Sequence, residues 1–99
     1  MFRHIVMWSF KEGYTAIENA ANAQKVKAAL EGLKSLVPEI VEIKVHINQL
    51  SYSTKDVMLD SLFNNEADFL AYMDNADHKA AGAIVREYLT GREAFDFHA

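Results

Sequence analysis

The chain has 99 residues, 51% of them hydrophobic, carries a net charge of −4 and contains no cysteine. That describes one globular domain, too apolar for disorder and too short for a second core. Without cysteine there is no disulfide framework, thiol nucleophile or thiolate metal site, and without a run of like charges nothing recommends nucleic acid or an anionic membrane as partner.

Phe2 to Phe10 alternates, with Phe2, His4, Val6, Trp8 and Phe10 on one face and Arg3, Ile5, Met7 and Ser9 on the other. Period two predicts a strand, and apolar residues on both faces predict that both are covered, one of them by a partner chain. The opening residues are too interrupted for a signal peptide and no apolar run approaches a membrane span, so the expectation is a soluble cytoplasmic protein. Thr15 followed by Glu18 has the capping-box spacing, which predicts a helix from there to about Leu36. Ala23, Val26, Leu30, Leu33 and Val37 form its single apolar stripe, and Pro38 stops it. Its many alanines leave little bulk beside the sheet.

Val41, Ile43, Val45 and Ile47 alternate with Glu42, Lys44, His46 and Asn48, which predicts a half-buried second strand. After a polar loop over residues 49–55, Asp56 to Phe63 reads as the third strand, with Val57, Leu59, Ser61 and Phe63 on one face and Met58, Asp60 and Leu62 on the other. Asn64-Asn65 is a turn and helix cap. Glu66 to Met73 is a short helix, expected to turn Phe69, Leu70 and Met73 inward. A break at Asp74 to Asp77 separates it from a second helix. From His78, residues Ala81, Gly82, Val85 and Leu89 follow at i+3, i+4, i+7 and i+11, so His78 opens an apolar helical face, with Tyr72 just across the break. Gly91 fits a helix C-terminal cap, and Arg92 to His98 reads as a last strand.

The order is β-α-β-β-α-β with the second helix split, an α+β, ferredoxin-like pattern with a four-stranded antiparallel sheet. Helices cover one sheet face. The other carries Ile5, Met7, Met58, Leu62 and Phe95, which predicts a homodimer joined through the sheets.

The ordered set Arg3-His4-Ile5-Val6, Val37-Pro38-Glu39-Ile40, Asp60 with Phe63, Tyr72 with Asp77-His78, and Phe95-Asp96-Phe97 resembles the stress-responsive α/β-barrel domain (Dabb) family, across residues 1–99. The resemblance implies a ferredoxin-like protomer pairing into a dimeric α/β barrel. It also implies functional positions. An enzymatic member type, olivetolic acid cyclase, uses a histidine and a tyrosine that match His78 and Tyr72, and a strand histidine that matches His4. Here Asn75-Ala76-Asp77-His78 replaces the family's frequent His-Pro-x-His, and Leu89 stands where the cyclase has a larger aromatic, so the cyclase's substrate is not carried over.

The site expected on these grounds has His78 and Tyr72 as catalytic candidates. His4, Val6, Trp8, Leu30, Leu59, Ala81, Gly82 and Leu89 are the candidate substrate-binding residues. His78 would be a general base, Tyr72 a hydrogen-bond donor to a developing oxyanion, and His4 an orienting group. Beside this stands the plain reading of His78 as a helix-start residue and of His4 as a hydrogen-bonded core histidine. No His-x-His, His-x-x-x-His, acidic triad, phosphate loop or nucleophile elbow occurs, so no metal or cofactor is expected. The first expectation for function is a homodimeric stress-type protein binding a small apolar or aromatic molecule. The alternatives are a cofactor-free cyclase- or isomerase-like enzyme and, by fold analogy, a cofactor-independent monooxygenase.

Overall fold

The computed structural model describes residues 1–99. Strand β1 (Phe2–Phe10) lies inside a four-stranded antiparallel sheet, between β3 (Val57–Phe63) and β4 (Leu89–His98), with β2 (Ile40–His46) beyond β3. Three helices complete a ferredoxin-like α+β fold: α1 (Ala16–Glu31), α2 (Glu66–Asp74) and α3 (Ala76–Tyr88). None is long and apolar enough to cross a membrane.

Local chemistry accounts for the element boundaries. Thr15 and Glu18 form the reciprocal capping box, Glu18 N–H donating to Thr15 Oγ1 and Thr15 N–H to Glu18 Oε1. The α-helix ends five residues earlier than Leu36 because its last stretch, Gly32–Ser35, tightens into a 3₁₀ turn in which Leu33 O receives both Leu36 N–H and Val37 N–H. All five residues of the predicted stripe are buried. In β2 the pairing shifts between Ile40 and Glu42, so Ile40 pairs with Phe63 and Ile43 with Ser61 on the inner face, and Val41 is the extra bulge residue rather than an inward one. In α2, Leu70 is 56% exposed while Tyr72 is fully buried, the reverse of the expectation for Leu70: the helix rolls to bury its phenol with Phe69 and Met73.

Gly91 does not cap α3. The helix passes directly into β4 at Leu89, and Gly91 lies within the strand at φ +64°, a conformation a side chain would strain. Here β4 carries Gly91 and Arg92 against Trp8 alone, since Ser9 pairs with Thr90 and Met7 with Glu93. Arg92 shares the face of Ala94 and Asp96, the side of Val6 and His4, by plain alternation, and the bulge instead turns Leu89 inward opposite Phe10.

The core lies between the helices and the inner sheet face, around Val6, Val26, Val37, Val45, Phe63 and Tyr72. The outer face has no helix. It presents half-buried Ile5, Met7 and Met58, with Phe95 66% exposed, and an Arg3–Asp60 ion pair at 2.6 Å.

Candidate functional site

Alternation along β1 delivers His4, Val6 and Trp8 to the helix side of the sheet. Leu59 reaches the same space from β3, Leu30 from α1 and Arg92 from β4. The α2–α3 junction adds Tyr72, Met73 and His78, and α3 adds Gly82, Val85 and Arg86. These twelve residues line a cavity of about 330 Å³, within the usual range for a small-molecule site. The fold therefore brings together eight of the ten candidates named from sequence. Ala81 and Leu89 are not on its wall. One residue along α3 turns the side chain by about 100°, so Ala81 points into the packed core while Gly82 borders the space. Leu89 lies beyond the β4 bulge, opposite Phe10. A second hollow, about 400 Å³, sits on the outer side between Met7, Met58 and the loop before β3, with none of the His4, Tyr72 and His78 group on its wall.

One residue, Asn75, joins α2 to α3. Its side chain accepts from Asp77 N–H and His78 N–H and so caps α3 at its first turn. The Tyr72 and His78 rings consequently stand 4.2 Å apart between centroids, and the His4 ring lies 6.5 Å from Tyr72.

The hydrogen bonds fix which ring nitrogens carry protons. A carbonyl oxygen only accepts, so His78 donates its Nδ1–H to Met73 O at 3.3 Å, and the lone pair of the neutral ring is left on Nε2. His4 likewise donates its Nδ1–H to the Asp96 carboxylate. The Tyr72 hydroxyl, fully buried, has no hydrogen-bond partner in the chain. Burial lowers the pKa of His78 below the ordinary 6.5, opposed by the Met73 carbonyl and reinforced by the positive surroundings of His4, Arg92 and Arg86. Burial also lowers His4, although Asp96 works against it. Burial raises the Tyr72 phenol well above its ordinary range, with Arg92 pulling the other way. At neutral pH the cavity thus contains neutral imidazoles and a protonated phenol.

Both histidines hold protons less tightly folded than unfolded, where the reference value is 6.5. Their contribution is intact above that pH and is lost as pH falls through the lowered folded values. The melting temperature is expected to drop between about pH 7 and pH 5, and a His4→Gln/His78→Gln double variant should flatten that slope. A slope unchanged in the double variant would place the acid sensitivity elsewhere.

Sequence reasoning missed Asp96 as the partner of His4, and also Arg92, Arg86, Met73 and Val85 on the wall. Asp96 carried a signal: counting the antiparallel register from the chain end sets it opposite His4. Arg92 carried one too, since it lies four residues before Asp96 on a period-two strand and so on the same face.

The pattern of the stress responsive A/B barrel domain family matches residues 2–99. No curated protein matches the sequence at a significant level. Among solved structures, the chain is similar to a dimeric ferredoxin-like protein of unknown function from Bacteroides fragilis, at 28% identity and TM-score 0.90 over 99% of this chain and 95% of that one. A dimeric ferredoxin-like protein of unknown function from Thermobifida fusca shows 27% identity and TM-score 0.82, over 99% and 90%. Hydroxynitrile lyase from Passiflora edulis shares the fold at 16% identity and TM-score 0.73, over 97% and 90%.

Proposed function

We propose that this chain, which belongs to the stress responsive A/B barrel domain family, forms a homodimer through its outer sheet faces. Each protomer binds a small apolar or aromatic molecule between helices and sheet and acts on it as a cofactor-free acid/base catalyst. The homodimer reading draws on the apolar outer face and on the dimeric descriptions of two similar structures. The catalytic reading draws on one observation above all, the buried Tyr72 hydroxyl without a partner. Leaving such a group unpaired costs about 1–3 kcal/mol. A phenylalanine would fill the same space without that cost, so the hydroxyl is best explained by a ligand oxygen it meets.

In this reading His78 Nε2 takes a proton from a carbon acid or hydroxyl, and Tyr72 donates to the oxygen on which negative charge develops. His4, held by Asp96, orients the reacting molecule. Likeness to a hydroxynitrile lyase supports the reading only as fold analogy.

The test uses phenylacetone in D₂O, with loss of the benzylic proton signal followed by NMR. The protein should accelerate exchange over buffer. Tyr72→Phe should slow that exchange by about 100-fold while leaving the protein as stable or about 1 kcal/mol more stable. Full exchange activity in Tyr72→Phe, or a loss of stability matching the loss of activity, would overturn the reading.

A further inference from the structure

The cavity wall carries positive charge with no negative charge to meet it. Arg86 borders it from α3 and Arg92 from β4, and none of the twelve lining residues is acidic. The ion pairs of the chain are Arg3–Asp60, Lys27–Glu31 and Lys79–Asp74, so neither arginine has a carboxylate partner. Asp96, the acid on the same side of β4 as Arg92, hydrogen-bonds to His4 and is not on the wall.

Both arginines border this space, Arg92 by the alternation it shares with Ala94 and Asp96 on β4 and Arg86 by lying against Gly82. On α3, a side-chain carbon at position 82 would stand 3.1 Å from Nη1 of Arg86, so the guanidinium lies against the bare helix surface that Gly82 provides. The charge of Arg92 bears on His4, Tyr72 and His78 alike, which sets it close to the reacting groups. Guanidinium groups suit planar oxyanions because their fork of donors matches carboxylate geometry.

Resting on the reading of this cavity as a small-molecule site, we infer that its ligand is a carboxylate, its charged end met by Arg86 and Arg92 and its apolar or aromatic body packed on Val6, Trp8, Leu30 and Leu59. The acid/base group then acts on an anionic substrate anchored at one end. The inference separates a neutral ketone or aldehyde, which would leave both cations unmatched, from an aryl or alkyl acid.

The experiment compares two probes of equal shape, 4-butylbenzoate and 4-butylbenzamide. Binding is measured at about pH 8 by calorimetry and by the fluorescence of Trp8, the single tryptophan of the chain, at a pH where the histidines are neutral. The carboxylate should bind at least about tenfold more tightly than the amide. Arg86→Gln and Arg92→Gln should each reduce that preference, and the double variant should abolish it. Equal affinity of the two probes, or a preference that survives the double variant, overturns the carboxylate inference while leaving a small-molecule cavity standing. Binding of neither probe overturns both.

Discussion

His78→Ala is expected to remove carbon-acid exchange almost entirely, by about 10²–10⁴-fold, the usual contribution of a positioned general base. The same change should cost only about 1 kcal/mol of stability. The His78 ring gives up one 3.3 Å hydrogen bond to Met73 O and its contact with the Tyr72 ring. For a domain of this size, that cost is a fall in melting temperature of about 4–8 °C. Because the helix cap is made by the His78 backbone N–H and not by its ring, α3 should still start at Asn75. Affinity for a bound probe should persist, since the apolar wall is untouched. In the wild-type protein the acid limb of the pH–rate profile should lie below 6.5, in keeping with the lowered pKa of the ring. Activity and stability lost together would mark His78 as a structural residue, and an unchanged rate would remove it from the chemistry.

Met7→Asp is expected to dissociate the protein or unfold it. Met7 sits mid-way along β1 on the outer face, opposite Met58 on one side and Glu93 on the other. In a face-to-face assembly it would lie in an interface of more than about 2,000 Å², where an unpaired carboxylate costs several kcal/mol. A loss of about 3 kcal/mol or more weakens association over a hundredfold. Phe95→Asp supplies the sharper comparison. Phe95 is 66% exposed in the isolated chain, so an aspartate there should be harmless to the protomer and harmful only to the assembly. Light scattering on the wild type at micromolar concentration should give twice the protomer mass. A wild-type monomer, or dimers in both variants, would end the sheet-to-sheet reading.

Much of the fold can be read from periodicity because burial dictates it. The α1 stripe from Ala23 to Val37 and the alternation of Phe2, His4, Val6 and Trp8 are one-dimensional images of a single packed layer. What escaped is what periodicity does not encode. The bulges at Val41 and Gly91 each add a residue to a strand, and an added residue shifts every side chain beyond it. Leu89 faces inward, opposite Phe10, only through that shift. Leu70 and Tyr72 could not be ranked by hydrophobicity, since a leucine would normally be the more buried; the aromatic group of Phe2, Phe63, Phe69 and Tyr72, with neighbouring centroids such as Phe63–Tyr72 at 5.0 Å, decides the roll of α2. The His4–Asp96 pair lay in the register of β1 against β4, a pairing that element order alone does not state. Ala81 was assigned to the wall because helical spacing defines a broad face, whereas a cavity touches a narrower part of it.

The single-residue joint at Asn75 has a bearing on how this architecture can diverge. Tyr72 is three residues before it and His78 three residues after, so the pair behaves as one rigid unit with its spacing written into chain length. Adding or deleting one residue there would change the reach from Tyr72 to His78 and displace the Asn75 cap from Asp77 and His78, even though each helix would remain intact. Substitutions around the joint that keep a capping side chain at position 75 can be accommodated, whereas a change of length cannot. Across descendants of such a chain, insertions should therefore accumulate in the loop between β2 and β3 and be purged from the stretch between Tyr72 and His78.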